Sequence, residues 1–196
     1  MSAYQELETR FKRIAALGEA EGMLHWDMSV LMPAGGAASR IEQLSALKLT
    51  THEMKTDPRL AELLEAAEAE VPDDPWRAAN LRERRRSWVH ANAVDAGLVD
   101  ATTRACSACE MVWREARPEN DYARVLPYLE EVLNLSRQAA AAKAEALGRS
   151  PYEALLDQFG PDGSTARMDS LFTDLSAFLP DFLETALSRQ SARGEG

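Results

Sequence analysis

The sequence is poor in cysteine, in histidine and in positive charge. Only two cysteines occur among 196 residues, so no disulfide framework can stabilise the fold. Lysine and arginine number 22 against 32 aspartates and glutamates, which gives a formal net charge of -10. Because nucleic acids and anionic membranes are themselves negatively charged, they would repel this chain, and we expect no nucleic-acid partner.

Long apolar runs are also missing. The longest segment without a charged residue runs from Met28 to Ser39 and is interrupted by a proline and two glycines. A membrane-spanning helix needs about 20 apolar residues, so we expect no membrane association. Near the N-terminus, Glu6 and Glu8 stand where a signal peptide needs a basic end and an apolar run, which favours a cytoplasmic protein.

No segment shows the alternating apolar and polar pattern, rich in valine, isoleucine and threonine, that indicates a strand. Alanine, leucine, glutamate and arginine dominate instead, and these residues favour helices. A chain of this length buries roughly 70% of its unfolded surface, which is enough for one hydrophobic core. The sequence therefore predicts an all-α bundle of about seven or eight helices in a single domain over residues 1-196.

Prolines and glycines mark the predicted helix boundaries. Pro58 and Pro75 occupy positions typical of a first helical turn, and Gly148 is a natural helix stop. The predicted helices run from Tyr4 to a break at Met32-Gly36, from about Ala37 to Lys55, from Arg59 to Glu70, from Pro75 through Val89, from about Leu98 to Ala116, from Pro118 to Leu147, from Pro151 to Phe159, and from a cap at Ser164 or Thr165 through Leu187.

The last predicted helix has the clearest apolar face. Its apolar residues recur three and four positions apart, as on one side of an α-helix. They are Met168, Leu171, Phe172, Leu175, Phe178, Leu179, Phe182, Leu183, Ala186 and Leu187.

The string His52-Glu53-Met54-Lys55-Thr56 resembles part of a zinc motif. In His-Glu-x-x-His, two imidazoles one helical turn apart bind zinc and the glutamate acts as base. Here Thr56 replaces the second histidine. We therefore interpret His52 and Glu53 as a solvated helix end, and we expect no metal site from the scattered His25, His52 and His90.

Two further strings have both functional and structural interpretations. Cys106 and Cys109 have the spacing of a redox or zinc half-site, but no second cysteine pair exists, and we expect two small hydrophobic core residues. The basic run over 82-86 is interpreted as a solvated, ion-paired helix face, and a local carboxylate- or phosphate-binding patch is the alternative.

Several strings together resemble a known protein family. Near the N-terminus they include Glu21-Gly22-Met23-Leu24-His25-Trp26-Asp27, Met32-Pro33-Ala34-Gly35-Gly36-Ala37, Arg40, Gln43 and His52-Glu53. Further along they include Trp113-Arg114-Glu115-Ala116-Arg117, Glu119-Asn120-Asp121, Leu129-Glu130-Glu131-Val132 and Pro151-Tyr152-Glu153-Ala154-Leu155-Leu156-Asp157. In this order they resemble the N-terminal region of the thermostable carboxypeptidase (carboxypeptidase Taq) family of zinc metallopeptidases.

The resemblance implies a helical enzyme that releases C-terminal amino acids from peptides. In that family a zinc ion, held by His-Glu-x-x-His and a downstream glutamate, activates the attacking water. That motif would fall beyond Gly196, so no catalytic or metal-binding residue can be assigned to this chain. We expect no cofactor in this chain itself, although zinc is implied for the full-length family, and we expect the chain alone to be inactive.

The resemblance also implies that these helices form a wall or roof of the substrate groove. The candidate structural or groove residues are Trp26, Asp27, Met32, Pro33, Gly35, Gly36, Arg40 and Gln43. For each of them a structural role is the favoured interpretation and direct substrate contact the alternative. Trp26 is expected in the core, Asp27 and Arg40 as an ion pair between helices, and the glycines in a tight turn.

Two functional hypotheses remain from the sequence. The chain is the N-terminal helical part of a metallocarboxypeptidase whose zinc-binding catalytic portion is absent, or it is a stand-alone, non-enzymatic helical interaction module. In both cases the apolar helix faces must pack against another polypeptide surface. We therefore expect either a homo-oligomer, formed through the final helix or the N-terminal pair, or association with a missing catalytic portion; peptide substrates enter only in the full-length context.

Overall fold

The computed structural model of the chain describes residues 2-70 and 74-192. Within these two ranges it contains eight α-helices, one short 3-10 helix and no strand, which confirms the all-α prediction. The α-helices are α1 (Ala3–Val30), α2 (Ala37–Thr56), α3 (Pro58–Ala69), α4 (Pro75–Asn92), α5 (Ala96–Ala116), α6 (Tyr122–Leu147), α7 (Pro151–Leu156) and α8 (Thr165–Ala192); the 3-10 helix is Ala34–Gly36.

Aspartates cap four consecutive helices. The side chains of Asp57, Asp74, Asp95 and Asp121 accept hydrogen bonds of 2.9 to 3.1 Å from backbone N–H groups in the first turns of α3, α4, α5 and α6. Each carboxylate satisfies a donor that has no partner inside the helix and lies near the positive end of the helix dipole. This local chemistry explains why α3 and α4 begin at the predicted prolines.

The boundaries of α6 show one agreement and one difference. The helix ends at Gly148, which adopts a left-handed conformation with φ 63°, as the sequence predicts. It begins at Tyr122, four residues after the predicted Pro118. Asn120, at φ 55°, interrupts the helical backbone, and Asp121 caps the new helix, so residues 117–120 form a turn.

The chain divides into two compact units, Met1–Pro151 and Tyr152–Gly196. In the first unit, α1 packs on α2 and α3, α2 packs on α4 and α5, and α5 packs on α6. The single domain expected from the sequence stays a prediction.

The first unit has a well-buried apolar cluster between α1, α3 and α4. Leu7, Leu60 and Leu64 are completely buried there, and Tyr4 and Leu81 complete the contacts between the three helices. Burial of a leucine side chain contributes about 1.5-3 kcal/mol, so this cluster is a main source of the unit's stability.

Two carboxylates organise the beginning of the second unit. One is half-buried and belongs to the short helix α7, and the other is buried in the turn that follows it. Glu153 accepts hydrogen bonds from the backbone N–H (3.1 Å) and the hydroxyl (2.9 Å) of Thr165. Asp157 accepts one from the backbone N–H of Asp162, at 3.1 Å. Ser164 caps α8 through the N–H of Arg167, as predicted.

None of the helices described in the structure combines the length and the apolar character that crossing a lipid bilayer requires.

Candidate functional site

The eight residues singled out in the sequence lie together where α1 ends and α2 begins. We call this region the α1–α2 corner, residues 24-43. The backbone carbonyl of Asp27 accepts from the N–H groups of Leu31 (2.9 Å) and Met32 (2.8 Å), which closes the last turn of α1. The N–H of Gly36 then donates to the carbonyl of Pro33 at 2.8 Å, so the expected tight turn is a 3-10 helix.

Arg40 is the central side chain of the corner. Its Nη1 donates to the carbonyl oxygen of Leu24 and its Nη2 to Oδ2 of Asp27, both at 2.6 Å. Its Nε donates to Oε1 of Gln43 at 3.0 Å. The planar guanidinium group thereby joins α2 to α1 through an ion pair and a main-chain contact, and the ion pair that the sequence predicts is present.

A second arginine, Arg114 of α5, holds the same helix end. Its guanidinium group donates to the carbonyl oxygen of Met28, to the hydroxyl of Ser29 at 3.1 Å and to the carboxylate of Glu110. Cations favour the C-terminal end of a helix because its last carbonyl groups lack intrahelical partners. Sequence reasoning assigned no role to Arg114, and only its place in one of the family strings marked it.

The prediction that Trp26 belongs to the core is wrong. Its side chain is 52% exposed, whereas Met28, two residues further on, is almost completely buried. Successive residues of a helix are 100° apart, so these two side chains leave α1 on nearly opposite sides. Trp26 is therefore part of an exposed apolar stripe with Met23, Val30 and Leu31.

The two glycines of the corner have different surroundings. A Cβ atom at Gly36 would lie 3.1 Å from Cγ of Met32, so a larger residue there would press on that side chain. A Cβ atom at Gly35 would meet nothing within 4 Å. Pro33 and Gly35 are exposed, while Met32 and Gly36 are half-buried. Packing therefore restricts a side chain at Gly36 but not at Gly35.

The histidines do not form a metal site. His25 lies on α1, where its Nε2 is 3.6 Å from Glu21, and the other two lie on α2 and α4. In residues 2-70 and 74-192, no group of three or more histidine, cysteine, aspartate or glutamate side chains is arranged to hold a metal ion. A zinc ion that needs three protein ligands therefore does not fit the described residues.

The expected solvated helix end at His52 needs correction. The residue is half-buried in the C-terminal part of α2, and this burial lowers the pKa of its imidazole below the ordinary value. The adjacent Glu53 is exposed, as expected.

The cysteines lie in the middle of α5, as predicted, but not in the core. Cys106 is exposed and Cys109 half-buried, and neither forms a disulfide. They are three positions apart and therefore on the same side of the helix, and that side is open at Cys106.

The basic run at the centre of α4 is only partly a solvated face. Arg85 binds Glu68 of α3 through two hydrogen bonds of 2.7 and 3.0 Å, and Arg86 binds Glu83. Arg84 instead places its guanidinium group over the rings of Tyr4 and Phe11, 4.9 and 5.5 Å from their centres. The run therefore stabilises the packing of α4 on α1 and α3.

The sequence and the helical fold match a metallopeptidase family. The model of the carboxypeptidase Taq (M32) metallopeptidase family matches residues 6-195. The chain belongs to this family. The match covers both compact units, which confirms the resemblance found in the sequence.

Curated relatives and solved structures agree with this assignment. Thermostable carboxypeptidase 1 of Thermus thermophilus is 33% identical over 95% of this chain, which spans 38% of that protein. The metallocarboxypeptidase 1 structure of Trypanosoma cruzi superposes with a TM-score of 0.76 at 33% identity, over 99% of this chain and 39% of the other. The M32 carboxypeptidase of Deinococcus radiodurans gives a TM-score of 0.72 at 30% identity, over 95% of this chain and 37% of the other.

The lengths differ greatly. This chain spans about two-fifths of each of these relatives, so more than half of each relative lies outside the matched part.

Proposed function

We propose that this chain is the N-terminal helical part of an M32 metallocarboxypeptidase, that it forms a wall of the peptide groove, and that it does not hydrolyse peptides by itself. The observation that carries this proposal is that the chain matches the family over residues 6-195 and yet spans only 38% of the Thermus thermophilus relative with which it aligns. The described residues offer no three-ligand cluster for zinc, in agreement with a metal site outside the matched part.

The α1–α2 corner supports the structural half of the proposal. Arg40 and Arg114 hold the end of α1 from two different helices, so the stripe that contains Trp26 sits on a fixed scaffold. A groove wall needs such rigidity, because a peptide is positioned only by side chains that do not move. We assign Asp27, Arg40 and Gln43 to this scaffold and Trp26 to the exposed side of the wall.

The proposal is tested by metal content and peptide hydrolysis. The 196-residue chain is purified in the presence of zinc, its zinc is measured by mass spectrometry, and release of the C-terminal amino acid from an N-blocked dipeptide is followed. The Thermus thermophilus enzyme is the positive control. We expect well below one zinc per chain and a rate equal to that of buffer, whereas stoichiometric zinc with turnover would overturn the proposal.

A stand-alone interaction module is the second candidate. It is favoured by α8, which has no buried residue and carries a continuous apolar face. Such a module would assemble with copies of itself, and light scattering over a concentration series measures this. The gene distinguishes the two candidates: a reading frame that continues past codon 196 into a His-Glu-x-x-His segment supports the enzyme part, and a stop codon there supports the module.

We also infer a cytoplasmic location. Its support is the pair of unpaired thiols at Cys106 and Cys109, since reducing compartments keep such thiols free. Fractionation of the source cells with an antibody against the chain tests this inference.

A further inference from the structure

An open cavity of about 620 Å³ lies between α1 and α4. On the α1 side its wall is a row of side chains between positions 5 and 15, three or four positions apart and therefore on one side of the helix. Phe11, which packs against the apolar cluster, belongs to this wall, and Arg84 closes the cavity on the α4 side. Small-molecule sites have volumes of roughly 300-1,000 Å³, so this cavity has room for an organic ligand.

The guanidinium group of Arg84 is held in place by aromatic rings of α1. It lies 4.9 Å from the ring centre of Tyr4 and 5.5 Å from that of Phe11. Tyr4 is itself fixed by α4, since the amide of Asn80 donates to its hydroxyl at 3.2 Å and Arg77 lies 5.2 Å from its ring centre. Such cation–π contacts position a guanidinium group without occupying its N–H donors.

Arg84 lacks the anionic partner that its neighbours have. Arg85 binds Glu68, and Arg86 binds Glu83. Arg84 makes no ion pair with the described residues, and its buried Nη1 has no hydrogen-bond partner among them. A buried donor without an acceptor retains the cost of leaving water, and an acceptor that binds there removes this cost.

A second cation of the cavity is also unpaired. Lys12 lines the cavity and makes no ion pair within residues 2-70 and 74-192. Glu8 lines it as well, but its carboxylate is not within 4 Å of either cation, so two positive charges face one negative charge. In a chain with a net charge of -10, these cations are not unpaired for want of carboxylates. The cavity is therefore locally suited to an anion.

We propose that this cavity binds a small organic oxyanion, whose carboxylate or phosphate group accepts hydrogen bonds from Arg84 and Lys12. Both groups have the oxygen geometry that a guanidinium group recognises with two N–H donors. The carboxylate- or phosphate-binding patch considered for the basic run over 82-86 is thereby narrowed to one arginine, and Lys12 is added to it. The inference does not rest on the proposed function, because it involves neither zinc nor peptide hydrolysis.

Titration of the ¹⁵N-labelled chain, followed by NMR, tests the site. The probes are phenyl phosphate and benzoate, which carry the two anionic groups on the same ring, and sodium chloride at equal ionic strength is the control for general charge effects. We expect saturable shifts of the Nε–H signal of Arg84 and of the backbone amide of Lys12 with at least one probe. The probe that binds more tightly identifies the anionic group. Shifts no larger than those with sodium chloride, or saturable shifts only outside the cavity, would overturn the inference.

Three substitutions locate the binding site. Arg84→Gln and Lys12→Gln each remove one cation from the cavity, whereas Arg82→Gln removes the same charge from an exposed position of α4 that does not line it. We expect the dissociation constant of the binding probe to rise about tenfold or more for Arg84→Gln, about threefold or more for Lys12→Gln, and not to change for Arg82→Gln.

The variants also separate binding from folding. Lys12 is exposed, so Lys12→Gln should leave the helix content unchanged, and it decides the test if Arg84→Gln does not fold. Equal effects at positions 82 and 84, or unchanged binding by Lys12→Gln, would contradict the proposal.

Discussion

Arg40 and Asp27 form an ion pair of 2.6 Å between the first turns of α2 and the end of α1. The same guanidinium group also binds the main-chain carbonyl of Leu24. A side chain that contacts both the carboxylate and the backbone of a neighbouring helix fixes its position along the axis as well as its distance. Arg40 therefore fixes how the beginning of α2 lies against the end of α1.

Replacement of Arg40 by alanine should lower the stability of the chain. The guanidinium group is mostly buried, and its removal leaves the Leu24 carbonyl and the Asp27 carboxylate without their hydrogen-bond donor. We therefore expect the free energy of unfolding, measured in urea, to fall by about 1-3 kcal/mol. Lysine at this position can make only part of these contacts, so Arg40→Lys should give a free energy of unfolding between those of the unchanged chain and of Arg40→Ala. The control Arg13→Ala, at an exposed position of α1, should change stability by less than about 0.5 kcal/mol. Equal effects at the two positions would contradict this role.

Polar contacts between α2 and α5 should make stability depend on acid pH. The hydroxyl of Ser45 donates to Asp100, and Arg104 binds both Asp100 and Glu42. The hydroxyl of Ser45 and then Arg104 hold the pKa of Asp100 below its usual 3.8, and Arg104 holds the pKa of Glu42 below its usual 4.5. Both groups bind a proton less readily when the chain is folded. Their stabilisation is therefore present above about pH 4.5 and is lost as the pH falls through their lowered values.

Urea midpoints at pH 6 and pH 3 measure this dependence. The double variant Glu42→Gln and Asp100→Asn should lose less stability between these pH values than the unchanged chain. Glu130→Gln with Glu131→Gln, on the exposed side of α6, removes the same charge and should keep the original dependence. An unaltered acid response of the first variant would refute the assignment to Arg104 and Ser45.

Leu7 should be among the most sensitive positions of the first unit. It is fully buried between α1, α3 and α4, so Leu7→Ala leaves a cavity and should cost about 2-5 kcal/mol. Leu31→Ala removes the same atoms from an exposed position and should cost less than about 0.5 kcal/mol. Thermal and urea unfolding measure both, and similar losses would mean that the cluster is not the core of this unit.

Two glycines provide a comparison of backbone conformation alone. A Cβ atom at Gly18 or at Gly148 would meet nothing within 4 Å, but only Gly148 has a positive φ, of 63°. We expect Gly148→Ala to destabilise the chain by about 1 kcal/mol and Gly18→Ala, inside α1, to stabilise it by about 0.5-1 kcal/mol. Calorimetric unfolding distinguishes the two, and a gain from both substitutions would show that the end of α6 tolerates a side chain.

Local signals predicted the fold well because the helix ends depend on nearby residues. Pro58 and Pro75 begin helices since their aspartate caps directly precede them, and Gly148 ends one because its backbone is left-handed. The start of α6 was missed because the turn at Asn120 has a conformation that no proline or glycine announces.

The candidate site was harder to predict than the fold. The Asp27–Arg40 pair followed from the sequence, since the two residues flank a short turn between helices. The contact of Arg114 with Met28 did not, because it depends on how α5 packs, which spacing along the chain does not encode. For the same reason the periodicity of α1 could not show that Trp26 faces outward.

The two arginines that hold the end of α1 come from very different distances along the chain. Leu24 and Arg40 are 16 positions apart, whereas Met28 and Arg114 are 86 apart. Closing a chain loop costs more conformational entropy as the loop becomes longer. The contact of Arg114 with Met28 therefore carries a larger entropic cost than the contact of Arg40 with Leu24, and it ties the end of α1 to a helix that is remote in the sequence.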